Sequence, residues 1–166
     1  METVGRRFRG GRARIELVGG ASLVLEGLKP VTVDIDLNLS GTPPEEQGRL
    51  MDLLRDLKTE LDLNLEEASP EHFIPLPEGA PGRSRYIATH GRVDFYHFDP
   101  YSVALGKIER GEERDFEDVC QLVKSGFVDR GKLREYFKEI LPLVAARSLR
   151  DPARFAHNFE RLEAMW

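Results

Sequence analysis

The chain has 166 residues, 40% of them hydrophobic and 32% charged, with a formal net charge of −5. That length makes one domain, or one domain with a helical extension, and buries a sizeable core. The acidic balance argues against a chain that coats nucleic acid. No apolar run approaches the ~20 residues of a membrane span, and the N-terminus has no apolar signal core. A single cysteine, Cys120, excludes an intramolecular disulfide and points to a cytoplasmic setting.

Residues 1–14 place Arg6, Arg7, Arg9, Arg12 and Arg14 among Gly5, Gly10 and Gly11. Glycine-broken arginines make a poor helix. Two readings stand: a basic arm that meets phosphates, or a solvated, frayed terminus. Arg14–Val18 reads as a first strand. Gly19-Gly20 then turns into a helix over Ala21–Leu28, which Gly27, Lys29 and Pro30 end. In the next segment Val31, Val33, Ile35, Leu37 and Leu39 alternate strictly, which predicts a strand over Val31–Leu39 with one apolar face. Thr32, Asp34, Asp36 and Asn38 share the opposite face. Side chains two apart on a strand stand about 6–7 Å from each other. Two carboxylates so placed repel, and a cation or solvent must neutralise them.

Pro43-Pro44 open an amphipathic helix over Glu45–Leu61, with Leu50, Leu53, Leu54, Leu57 and Leu61 as its buried stripe. Residues 66–84, rich in Glu, Pro and Gly, read as a long surface loop with a short strand candidate at Phe73-Ile74. Arg85–Thr89 and Arg92–Phe98 read as a hairpin turning at His90-Gly91. Helices follow over Tyr101–Arg110 and Arg114–Lys124, with Gly111 and Gly126 as stops. A further helix runs over Arg130–Ala146, which Pro142 should end or kink. The last runs from Asp151-Pro152 to Trp166. His72, His90, His97 and His157 show no ligand spacing, although His90 and His97 flank the Asp94 strand. Cys120 lies on an apolar helix face and reads as core.

A Gly-Gly turn opening a helix, then Asp-x-Asp on the next strand, resembles the nucleotidyltransferase superfamily that includes polymerase beta. VGGASLVLEG…TVDIDL is most similar to the small bacterial minimal and abortive-infection-toxin nucleotidyltransferases. Downstream, KIERGEERDFEDV from Lys107 to Val119 resembles their helical Lys-(hydrophobic)-x-Arg…Asp-x-x-Asp segment. The resemblance implies an α/β (α+β) fold: a mixed sheet flanked by helices over residues 1–125, with a C-terminal helical extension over 126–166 packed on it. It implies Asp34, Asp36 and Asp94 as catalytic carboxylates that bind two Mg²⁺ ions. Gly19 and Gly20 would hold the phosphates of an NTP substrate. Lys107 would face the triphosphate, with Arg110 and Arg114 as helpers. Asp99 rivals Asp94, but Asp99-Pro100 reads as a helix cap. Asp115 and Asp118 would orient their helix or pair with Arg114. The chain departs from the family pattern at Pro30, where relatives carry an arginine ahead of the strand threonine.

By this resemblance the activity is transfer of NMP from an NTP to a hydroxyl of tRNA or of a protein. The setting would be toxin–antitoxin, with an antitoxin-like partner chain. The apolar C-terminal helices offer a surface for a homodimer. The alternative is a catalytically inactive member acting as a binding or regulatory module, and Asp94 discriminates the two. A third class, a nucleotide binder of Rossmann type using Gly19-Gly20, lacks the G-x-G-x-x-G signature.

Overall fold

In a computed structural model, which describes residues 1–146 and 151–166, the chain forms two compact units. One comprises Met1–Ser69 with Ser84–Phe98, the other Pro70–Arg83 with Asp99–Trp166.

The first unit holds α1 (Glu2–Arg7), β1 (Ala13–Val18), α2 (Gly19–Leu25), β2 (Asp34–Asn38), α3 (Pro44–Glu60), β3 (Asn64–Glu67), β4 (Arg85–His90) and β5 (Val93–His97). Its five strands form one mixed sheet in the order β3-β2-β1-β5-β4. Strand β1 runs antiparallel to β2 and parallel to β5, β2 is parallel to β3, and β4 is antiparallel to β5. This is the mixed α/β fold that the sequence suggested. The antiparallel β1–β2 pair at its centre is foreign to a doubly wound parallel sheet.

Register sorts the side chains. Leu17 pairs with Leu37, Ile15 with Phe95 and Ala13 with Val93, so all six fall on one face. Leu50, Leu54 and Leu57 of α3, with Val4 and Phe8, complete the same apolar core. Each Val, Leu, Ile or Phe among them stabilises the fold by about 1.5–3 kcal/mol when fully buried.

Three local expectations are corrected. Strand β2 starts at Asp34 rather than Val31. Its partner β3 begins opposite Asp34, and pairing with β1 ends at Val18–Asp36, so residues 31–33 have no ladder to join. Val31 and Val33, apolar by alternation, are 67% and 82% exposed. The N-terminus is also helical, and its α1 is anchored by buried Val4 and Phe8. Gly5 makes that docking feasible: a Cβ there would stand 2.3 Å from the His90 carbonyl oxygen. Finally, residues 66–84 are not one open loop. They begin in β3 and include single 3₁₀ turns at Pro70–His72 and Ala80–Arg83, and Phe73-Ile74 is not a strand.

The second unit is helical: α4 (Pro100–Arg110), α5 (Glu113–Lys124), α6 (Arg130–Ala146) and α7 (Pro152–Glu163). Phe137 of α6 stacks on Phe159 at 4.0 Å and meets Phe155 edge-on at 4.9 Å, both on α7. The α4 C-terminus closes at Gly111, whose φ is +75°, and Asn158 of α7 donates to the carbonyls of Ile108 and Glu109. Helix α6 runs through Pro142 to Ala146. Pro142 is exposed, where water can take up the helical bond it forgoes.

Phe8 separates an anchored terminus from a frayed arm. Phe8→Ala is expected to lower unfolding stability by about 3–5 kcal/mol, read from denaturant midpoints. A change within about 0.5 kcal/mol would mark a residue outside the core.

Candidate functional site

The face of the sheet opposite the core is polar. It carries Arg14 and Glu16 of β1, Asp34, Asp36 and Asn38 of β2, and Asp94 and Tyr96 of β5, as the pairing register requires. At one end stand Asp34 and Asp36. Asn64, the β3 partner of Asp34, donates its Nδ2 to Asp34 Oδ1 at 2.5 Å. Glu66 is the β3 partner of Asp36, so its side chain leaves the sheet on the same face.

The glycine turn meets this pair directly. Gly19 adopts φ +62°, a conformation that favours glycine, and a Cβ on it would stand 3.1 Å from Asp36 Oδ2. A Cβ on Gly20 would stand 2.3 Å from Thr32 Oγ1. Thr32 in turn donates to the Asp34 carbonyl at 3.1 Å. Gly19, Gly20 and the approach to β2 are thus fitted to one another, with the two carboxylates beside them.

Along the face, the next row is Asn38, Glu16 and Tyr96. Glu16 is buried and accepts from Asn38 Nδ2 at 2.8 Å, Ser84 Oγ at 2.7 Å and Arg14 Nη2 at 2.7 Å. The Arg14 guanidinium lies 3.8 Å over the Tyr96 ring. Asp94 comes beyond this row, paired in register with Arg14, whereas Asp36 pairs with Val18. Arg14 and Val18 are four residues apart on β1, so Asp94 is displaced from Asp36 by about 13 Å along the strands and about 10 Å across them. Thr89 Oγ1 donates to Asp94 at 2.6 Å. The sheet therefore gathers Asp34, Asp36, Gly19 and Gly20 and leaves Asp94 apart. Among the described residues, no group of three or more His, Cys, Asp or Glu side chains is gathered as a metal would need. Asp99 caps α4 by accepting from the Tyr101 and Ser102 amides, and Arg83 donates to both of its oxygens.

Lys107 belongs to the helical unit. Its Nζ donates to Asp118 at 2.7 Å and to Asp115 at 3.2 Å, and Arg110 donates to both oxygens of Asp115. The Lys107–Asp118 segment thus joins α4 to α5 through its own charges, while Arg114 pairs with Glu112 instead. Asp115 is fully buried. Burial alone would raise its pKa, but the Arg110 hydrogen bond and the Lys107 charge outweigh it and hold the carboxyl below its ordinary value. Burial pushes the Cys120 thiol up, as suits a packed rather than a reactive cysteine.

One constellation went unread in the sequence. Ser22 of α2 and Glu26, four residues on, both reach His97 of β5. Ser22 Oγ is 2.8 Å from His97 Nδ1, and His97 Nε2 is 2.8 Å from Glu26 Oε1. Arg85 donates to that same Glu26 oxygen at 2.6 Å. The i, i+4 spacing of Ser22 and Glu26 was the available signal. Glu16 was also passed over, because a carboxylate within a short strand reads as solvent-facing.

A family model described as a nucleotidyltransferase of unknown function (DUF6036) matches residues 9–164. The chain belongs to that family, and so to the nucleotidyltransferase superfamily. No curated protein and no solved structure matches it.

The buried charge cluster gives a test of its own. Asp115→Asn removes the carboxylate that Arg110 grips and one of the two that Lys107 meets, leaving Asp118 on Lys107, and is expected to cost about 1.5–3 kcal/mol in denaturant unfolding. The Asp115 pKa is lower folded than unfolded. Its contribution is therefore full above the ordinary Asp value of 3.8 and is lost as pH falls below it. Wild-type stability should drop through that acid range more steeply than that of the variant.

Proposed function

We propose that this chain is a Mg²⁺-dependent nucleotidyltransferase that moves NMP from an NTP to a hydroxyl acceptor. The observation that carries the reading is the Asp34–Asp36 pair on one strand face with Gly19 against Asp36 Oδ2. The donor set suits Mg²⁺, which takes one or two carboxylates and fills its remaining positions with water and substrate phosphate oxygens. Mg²⁺ held by Asp34 and Asp36 would neutralise the triphosphate and the departing pyrophosphate and would acidify the acceptor hydroxyl. Where two ions bind, as the resemblance implies, Glu66 is the nearest further carboxylate that the β2–β3 ladder offers. The Gly19-Gly20 turn would offer backbone N–H groups to the phosphates beside the metal.

The exposed arginines Arg6, Arg7, Arg9 and Arg12 support an RNA end, such as that of tRNA, over a protein as acceptor. A toxin–antitoxin setting with an antitoxin-like partner follows the resemblance. A second reading, an inactive member serving as a binding or regulatory module, is favoured by two observations. Asp94 lies apart from the acid pair, and Lys107 is engaged by Asp115 and Asp118.

Thermal melting with Mg²⁺ and each NTP separates the readings. An enzyme at 100 times its Kd gains about 2.7 kcal/mol. The gain is expected to vanish in Asp36→Asn, with labelled-nucleotide transfer falling about 100-fold or more. Asp94→Asn should keep both. Stabilisation by no NTP would favour the inactive module.

A further inference from the structure

The polar sheet face carries two features that the acid pair does not use, an arginine rim and a tyrosine platform. Ala13 pairs with Val93, and its amide donates to the Arg92 carbonyl at 3.0 Å. Arg12 and Arg92 therefore stand side by side where β1 and β5 begin. The alternation that places Arg14 and Asp94 on the polar face places them there too. Both are exposed, as are Arg6 and Arg9 ahead of them. Among the described residues, the Arg6, Arg9 and Arg12 guanidiniums have no hydrogen-bond or ion-pair partner. Arg92 is held only by the Gly10 carbonyl, which carries no charge. Like charges so gathered repel, and an anion between them lowers that repulsion. Tyr86 and Tyr96, paired in register, lie on the same face in the row of Glu16, nearer the acid pair. From Asp36, Tyr96 is about 7 Å along the strands and about 10 Å across them, and Arg12 is about 20 Å along them.

Tyr86 is 59% exposed, and its ring meets Tyr96 edge-on at 5.6 Å. Its hydroxyl lies 2.9 Å from Thr89 Oγ1, which donates to Asp94. A ring held by both packing and a hydroxyl chain loses little freedom when a base stacks on it. The Asp94 carboxylate in that chain repels phosphate, so phosphates belong on the rim and bases on the rings. A ligand that offers both, with its bases unpaired, is a single-stranded nucleic acid. The Tyr86 and Thr89 hydroxyls beside the ring suit a 2′-hydroxyl, which RNA has and DNA lacks. We propose that this face binds single-stranded RNA, with phosphates on Arg9, Arg12 and Arg92, a base stacked on Tyr86, and the strand's end toward Asp34 and Asp36. That last clause rests on the nucleotidyltransferase reading; the binding face does not.

The test titrates the full chain, without NTP, into a short fluorescein-labelled single-stranded RNA, the same sequence as DNA, and the matching RNA duplex. Anisotropy is followed over a range of salt, and Mg·NTP-dependent melting is recorded alongside. The single-stranded RNA is expected to bind more tightly than the DNA or the duplex. Tyr86→Leu should weaken it about 5- to 150-fold, and Tyr86→Phe, which keeps the ring, should restore it. The double variant Arg9→Ala/Arg12→Ala should make the fall of log affinity with log salt shallower by about 1.4. Arg55→Ala, on the helix that covers the opposite face, should change neither. Full affinity in Tyr86→Leu, equal affinity for the DNA or the duplex, or an unchanged salt slope in the arginine variant overturns the inference. A wild type that shows the Mg·NTP shift but binds no RNA overturns it too and leaves the nucleotidyltransferase reading in place. RNA binding through this face with no shift for any NTP overturns that reading and keeps the binding face.

Discussion

The register of β1 governs this molecule. Strand β1 is hydrogen-bonded on both sides, antiparallel to β2 and parallel to β5. That double pairing sends Ala13, Ile15 and Leu17 into the core and Arg14 and Glu16 to the polar face. A slip by one residue would exchange the two sets. Buried polar groups pin it. Glu16 holds Asn38 of β2, Ser84 and Arg14 at once. Thr42 accepts from the Arg14 amide and donates to the Arg14 carbonyl, clamping the start of the strand. The same register delivers Asp36 beside the turn that ends β1 and sends Asp94 to the far end of the face.

The helical unit uses charge differently. Lys107 and Arg110 on α4 meet Asp115 and Asp118 on α5. The segment in which the resemblance implies a triphosphate-facing lysine carries an ion-pair network among its own residues. The buried Lys107 ammonium meets two carboxylates, so it stays paired when one of them is lost. Asp99 follows the same logic, since its two carboxylate oxygens serve both the first turn of α4 and the Arg83 guanidinium.

Much of the fold was legible in residue patterns, because periodicity reports the face an element buries. The α3 stripe of Leu50, Leu54 and Leu57 and the alternation of Val93 and Phe95 mark elements that pack on the core. Pattern fails where pairing partners decide. Val31 and Val33 alternate in phase with Ile35, but no neighbouring strand reaches them, so they stay outside β2. Glycine in α1 reads as a helix breaker, yet Gly5 is there to let the helix close on the β4–β5 turn. Of the candidate site, the shared face of Asp34 and Asp36 follows from spacing alone. The distance to Asp94 and the engagement of Lys107 depend on register and on tertiary ion pairs, neither of which a linear sequence displays.

The proposal of nucleotidyl transfer at one end of the sheet rests on the two aspartates, the glycine turn and the family membership. The most direct test of that claim replaces Mg²⁺ with Mn²⁺ and measures bound metal by electron paramagnetic resonance with a non-hydrolysable NTP analogue. The account requires nucleotide-dependent Mn²⁺ binding in the wild type and in Asp94→Asn, and its loss in Asp36→Asn. Equal binding by the wild type and Asp36→Asn, or loss in Asp94→Asn alone, would contradict it.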